Sequence, residues 1–318
     1  MPITRIESLT FGVADMAAGA RFFEDLGLEK RDADGAGARF RTPTNQTITL
    51  RPIDDPSLPA SPETGPTLRE VTWGVDSAAS LDAIAAELAK DRAVRKTPDG
   101  ALHARDETGF AIAFAVSNPT PATPARPRVN NHDVSARLNQ RVAPPTRLTP
   151  TRIGHVVYRV LPEQREKASA FYLERLGFKL TDRSLMVGDF MRLSGISDHH
   201  QLLFMTIGSK EARFDHAALE LPGFDDVLWS GGHMKARGWN GTWGPGRQPL
   251  GNHIFWHFAN PCGGEIEVFT DMDRFDDSWQ PVVWEKNGPP PVWMLGEGIP
   301  AELREAIAAA NKKPPEEH

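Results

Sequence analysis

Near the end of the chain, residues 251–273 read GNHIFWHFANPCGGEIEVFTDMD. The aromatic and β-branched run 252–258 predicts a buried strand. Asn260-Pro261-Cys262-Gly263-Gly264 supplies a tight turn, and Glu265–Phe269 alternates acid and apolar residues as a second strand. Side chains alternate faces along a strand, so Glu265 and Glu267 share one face while Ile266 and Val268 share the other. A carboxylate turned into the interior of so apolar a strand needs a partner, and a cation is one of the few that suffice. Glu267 is the candidate ligand; the bland alternative leaves it in solvent, with Glu265 as the inward acid. Its candidate partners are His155, in IGHVV, and His216, in FDHAAL, each on a strand-like segment. Two neutral imidazoles and one carboxylate on one face of a cation, with positions left open, suit iron(II) that must bind a substrate and dioxygen together, and manganese(II) accepts the same set.

These residues belong to the second copy of an internal repeat. TRIESLTFGV (4–13) lies over TRIGHVVYRV (151–160), FFEDLGL (22–28) over FYLERLGF (171–178), and TGFAIAFAV (108–116) over GGEIEVFT (263–270). Between them, REVTWGVDSAASLDAI and DHAALELPGFDDVL each predict a strand followed by a helix. The order is the same in both halves and implies an α+β architecture of curved mixed sheets. In this alignment His155 stands over Ser8, His216 over Glu70 and Glu267 over Ala113. A packing role would tend to persist in both copies; a set present in one copy alone points to chemistry there.

Helices are expected from the Asp15 start signal to Leu26-Gly27, and over 77–90 with Ser77 as N-cap. Residues 119–150, rich in proline and polar side chains, read as a connection between halves, either disordered or an ordered strap, with one short helix over 133–141. Beyond 275, Trp279, Trp284 and Trp293 among prolines predict an extended strap on the second half, covering a pocket mouth or forming a subunit contact. A final helix follows in AELREAIAAANKK.

The 318 residues suffice for two domains, with 40% hydrophobic and 25% charged residues. A net charge of −6 excludes the basic footprint of nucleic-acid binding. No stretch has the length or apolarity of a membrane span, and no signal-peptide layout opens the chain. Cys262 is the single cysteine, so no intrachain disulfide forms and a cytoplasmic setting is expected.

The pieces IGHVV with His155, DHHQLLF with His200, DHAALEL with His216, GPGR at 244–247 and NPCGGEIEVF with Glu267, together with a degenerate first half, resemble the two-domain type I extradiol ring-cleavage dioxygenases of the vicinal oxygen chelate superfamily. The resemblance implies tandem βαβββ modules: a degenerate pair over 1–118, a linker over 119–150, a catalytic pair over 151–275 and a strap over 276–318. It implies iron held by His155, His216 and Glu267, with His200 as the acid–base histidine beside an aromatic diol and O2. A homo-oligomer is expected. Two positions depart from the family pattern. GPGR is usually followed by a histidine that contacts the substrate oxygen, and here Gln248 follows. A tyrosine usually stands where FWHF has His257. Glutamine hydrogen-bonds but does not titrate, whereas His257 does. Either the proton-handling group is redistributed or the substrate is not an ordinary catechol, with His200, His257 and Gln248 as the candidate catalytic residues. A hydroquinone-cleaving dioxygenase, a glyoxalase-like isomerase and a protein that sequesters a small molecule are the competing readings. His199 and His200, if extended, point oppositely, so one of them enters the pocket. His253 reads as structural, His233 as solvated on a helix, and Trp243 as a ring near the pocket.

Overall fold

A computed structural model describes residues 2–31, 37–122, 130–141, 145–285 and 290–296, and residues 301, 304, 305, 308 and 309 of the tail. The first half comprises β1 (Ile3–Val13), α1 (Met16–Asp25), β2 (Glu29–Arg31), β3 (Ala38–Arg41), β4 (Thr47–Pro52), β5 (Thr67–Val75), α2 (Ala78–Leu88), β6 (Arg95–Lys96), β7 (Leu102–Arg105) and β8 (Ala111–Val116). The second half repeats the pattern with β9 (Arg152–Arg159), α3 (Arg165–Ala170), β10 (Lys179–Ser184), β11 (Gly188–Arg192), β12 (Ser197–Asp198) and β13 (Leu202–Met205). It continues with β14 (Arg213–Glu220), α4 (Phe224–Lys235), β15 (Gly241–Arg247), β16 (Ile254–Ala259), β17 (Glu265–Thr270), β18 (Arg274–Phe275), β19 (Val282–Trp284) and β20 (Trp293–Met294).

Each half is built around one large sheet of two βαβββ modules, and in the second half β12 and β18 pair separately. The orders are β2-β3-β4-β1-β5-β8-β7-β6 and β19-β10-β11-β13-β9-β14-β17-β16-β15-β20. Within a module the first strand feeds a helix, and the last strand returns to lie parallel beside the first, as in β1 with β4 and β14 with β17. The opening strands of the two modules pair antiparallel at the centre, β1 with β5 and β9 with β14.

The register supports the repeat residue by residue. Ser8 faces Thr72 and Thr72 faces Ala113 in the first sheet; His155 faces Ala218 and Ala218 faces Glu267 in the second. Likewise Glu70 pairs with Ala111 as His216 pairs with Glu265. The expected caps are present: Asp15 Oδ1 accepts the Ala18 N–H at 2.9 Å, and Ser77 Oγ accepts that of Ser80 at 3.2 Å. Gly27, at φ +87°, ends the first helix in the left-handed region, and a Cβ there would strike the Leu148 carbonyl.

The helix expected over 133–141 is absent. Asn130 Oδ1 takes the N–H of Arg137, Asn131 Oδ1 takes those of Asp133 and Val134, and Asn139 sits at φ +53°. These local bonds compete with a helix, and Val134 and Leu138 have no core to join. The tail lies on the second half as strands: β19 extends one edge of its sheet beside β10, and β20 the other beside β15. The expected final helix falls largely outside the described residues; Ala301, Arg304, Glu305, Ala308 and Ala309 are helical. No described helix is long and apolar enough to cross a membrane.

Candidate metal centre

Strand alternation assembles the site. Glu267 on β17 pairs with His257 on β16, and Phe269 pairs with Phe255, so acid, imidazole and two rings share one face. His155 on β9 and His216 on β14 enter from the neighbouring strands. Ligand atoms of His155, His216 and Glu267 all lie within 4.8 Å of one another, and all three residues are buried. Glu267 is therefore the inward acid, while Glu265, two residues earlier on the same face, is partly exposed at the rim.

Glu267 Oε2 lies 3.4 Å from His155 Nε2, 3.2 Å from His216 Nε2 and 3.2 Å from His257 Nε2. Its other oxygen, Oε1, lies 3.1 Å from His253 Nε2. Carboxylates fix the far side of two rings. His216 Nδ1 is 2.6 Å from Asp215 Oδ1, with Arg159 on the other oxygen at 2.6 Å, and His257 Nδ1 is 2.9 Å from Glu265 Oε2. Such outer partners orient an imidazole and set which nitrogen presents its lone pair.

The electrostatics follow from burial against these contacts. Burial dominates at His155 and lowers its pKa to about 4. At His257 burial opposes charge, but hydrogen bonds and Coulomb attraction from Glu265 and Glu267 outweigh it and push the value up to about 10. His216 is raised in the same way, against burial, by Asp215 and Glu267. Burial works against Glu267, yet the surrounding imidazoles hold its carboxyl well below the usual range. Both nitrogens of His155, Nδ1 of His253 and Oε1 of Glu267 are buried without hydrogen-bond partners. A neutral imidazole offers one lone pair, and a bound cation would take up those of His155 and Glu267 that lack donors, so the donor set fits a metal.

Six histidines gather here. His199 and His200 do not point oppositely, as an extended backbone would require. The chain bends at His199, and the two rings meet with Nδ1 atoms 3.0 Å apart, His200 also packing on His155 at 4.4 Å between centroids. His253, read as structural, is buried in the cluster beside Glu267. It precedes β16 and shares the parity of Phe255 and His257, a signal available from alternation alone. His233 is buried, its Nε2 2.8 Å from the Asp25 carbonyl across the halves. Trp243 packs on His257 and Phe255. Gln248 is half-buried just beyond β15, and its main-chain N–H bonds the His253 carbonyl at 2.9 Å. An open groove of about 1820 Å³ runs past Arg5, Gln46, Arg152 and Asp198 and is lined by none of the clustered imidazoles, which are buried. The first half keeps a remnant: Glu70 and His103, at the register positions of His216 and His257, lie 2.9 Å apart.

Residues 152–268 match the model of the glyoxalase/bleomycin resistance protein/dioxygenase superfamily, and this part of the chain is a domain of that superfamily. The chain is 33% identical over 127 residues to metapyrocatechase 2 of Cupriavidus necator; the match takes in 40% of this chain and 38% of that relative's length. Its fold is that of the Mn(II)-bound glyoxalase from Novosphingobium aromaticivorans (TM-score 0.71, 22% identity, 95% and 94% of the two chains). It is equally that of an extradiol ring-cleaving dioxygenase from B. fuscum (TM-score 0.71, 18% identity, 95% and 81%). The resemblance read from the sequence thus holds for the second half in sequence and for the tandem βαβββ modules in fold.

Proposed function

We propose that the chain is an extradiol dioxygenase that opens a catechol-type ring beside its diol by inserting both atoms of O2. His155, His216 and Glu267 hold iron(II), with manganese(II) as the alternative occupant. The observation that carries this reading is the convergence of those three residues in an interior where imidazole and carboxylate lone pairs lack donors. A divalent cation there would lower the pKa of the diol hydroxyls and give ring electrons a route to dioxygen.

The chain's own groups do the rest. Asp215 and Arg159 hold the His216 ring so that Nε2 faces Glu267. Phe190, Phe255, Phe269 and Trp243 wall the cluster and keep water from it. His200, kept neutral by burial beside His155, accepts and returns the substrate proton. His257, wedged between Glu265 and Glu267, is a second proton store on the carboxylate side. Gln248 supplies a neutral hydrogen-bonding group to a substrate oxygen where a titrating one would be usual. In this reading residues 1–118 are scaffold, 119–150 connection, 151–275 catalytic and 276–318 strap.

A glyoxalase-like isomerase is the second reading, favoured by His257 Nε2, a further nitrogen 3.2 Å from the oxygen that faces His155 and His216. Anaerobic loading with iron(II), addition of catechols and hydroquinones, then admission of oxygen separates the two. Oxygen uptake with a yellow ring-fission product supports the dioxygenase. Metal bound with no uptake across the panel points to the isomerase, and no metal bound removes both.

A further inference from the structure

Asp182 on β10 and His199 after β12 are buried, and the chemistry above uses neither. They lie in line with His200. Asp182 Oδ1 accepts the indole N–H of Trp284 at 3.2 Å, and Oδ2 lies 2.6 Å from His199 Nε2. His199 Nδ1 lies 3.0 Å from His200 Nδ1. The His199 ring is boxed by Phe190 and Phe275, with centroids at 5.3 and 5.7 Å, and its main-chain N–H is fixed on the Asp273 carbonyl at 2.8 Å.

With both rings neutral, proton bookkeeping along this line has one solution. A carboxylate only accepts, so His199 carries its hydrogen on Nε2. A neutral imidazole has one N–H, so His199 Nδ1 presents a lone pair. The 3.0 Å contact is a hydrogen bond only if His200 donates from Nδ1, which leaves His200 Nε2 as the open base. Burial, which lowers the pKa of both rings, agrees with two neutral imidazoles. We infer that Asp182 and His199 are positioning residues that fix the tautomer of His200, with β19 of the tail holding the line in place through Trp284. The inference rests on the proposed function only in giving His200 a substrate proton to accept.

The test is long-range 1H–15N correlation on metal-free protein labelled at histidine, with His200→Gln identifying the His200 signals. Wild type is expected to show the Nδ1–H form. In Asp182→Asn the Trp284 N–H claims the amide oxygen, the amide NH2 turns to His199, and His200 inverts to the Nε2–H form. His199→Gln donates to Asp182 and accepts from His200, so it keeps the wild-type tautomer, whereas His199→Leu gives a mixture. With a catechol that wild type turns over, Asp182→Asn should lower kcat about 100-fold with KM within about threefold, while His199→Gln stays near wild type. An Nε2–H form in wild type overturns the inference, as does a folded Asp182→Asn with an unchanged tautomer. If Asp182→Asn does not fold, the His199→Gln and His199→Leu pair decides, and equal spectra at His200 overturn it. A wild type without catechol turnover sinks the proposed reaction and leaves the spectra to judge the relay.

Discussion

His253 Nε2 lies 3.1 Å from Glu267 Oε1, on the side of the carboxylate turned away from the oxygen that His155, His216 and His257 face. The buried acid is thus flanked on both oxygens, and its outward oxygen has no other contact of this kind among the described residues. The His253 ring edge beside the second oxygen limits how far the carboxylate can rotate, by contact rather than by a hydrogen bond. His253→Ala is expected to weaken divalent-cation binding by about tenfold, within the range for outer partners of a metal site, while leaving the fold intact. Competition titration against a chelating dye reads the affinity directly. Affinity equal to wild type would show that His253 only fills space.

The metal-free centre should respond to pH with a definite sign. His257, with a folded value near 10 against an ordinary 6.5, stabilises the fold most below pH 6.5 and loses that contribution as pH rises through 10. Glu267, depressed from 4.5, stabilises above pH 4.5 and loses its contribution as pH falls below it. The melting temperature of metal-free protein is therefore expected to fall between pH 6.5 and 10, by roughly 2–4 °C for each kcal/mol lost. Metal binding has the opposite dependence, because protons on His216 and His257 compete with the cation, and loading should tighten with pH and release protons. His257→Phe should flatten both curves in calorimetry and titration.

Much of this centre was legible in the sequence because strand alternation and an internal repeat are both explicit in the residues. Glu267 was singled out by its alignment with Ala113 and by the family resemblance, and His155 and His216 by standing over Ser8 and Glu70. What stayed hidden depends on backbone paths that composition does not encode. The bend at His199 turns two rings to one side, and Asp182 reaches them only because β10 lies two strands from β13. The helix expected over 133–141 failed for a local reason, since two asparagines capture the amides it needed. The tail was readable as a strap, but not as strands added to both sheet edges.

Gly154, beside His155, sets how closely β9 approaches the ring of Phe269. A Cβ at Gly154 would lie 2.3 Å from Phe269 Cζ and 2.5 Å from Cε1, and that ring packs on His155 with centroids 5.2 Å apart. Gly154→Ala is expected to cost about 1–3 kcal/mol and to lower cation affinity by displacing the ring against the imidazole. Gly232→Ala, inside α4 with nothing within 4 Å of the new methyl group, should be neutral or stabilising by up to about 1 kcal/mol. Urea denaturation of the pair distinguishes steric strain at the centre from a general intolerance of substitution. Equal stabilities would refute the crowding argument.

Gln46 ties the first half to the strand that carries His155. Its amide N–H groups donate to the carbonyls of Ile6 at 2.7 Å and Ile153 at 3.0 Å, and its oxygen accepts the Ile153 N–H at 2.7 Å. The side chain is buried, so each of these groups depends on its partner. Gln46→Leu keeps the volume but strands the Ile153 amide and two carbonyls, at an expected cost of about 2–3 kcal/mol. Gln46→Glu keeps the acceptor for Ile153 but turns a buried carboxyl on two carbonyl oxygens, and should cost at least as much. Hydrogen exchange at the Ile153 amide is the sharper readout, because it should accelerate in Gln46→Leu before the protein as a whole unfolds. If β9 is held in place by its own sheet alone, that amide will stay protected, and the first half will have no part in seating His155.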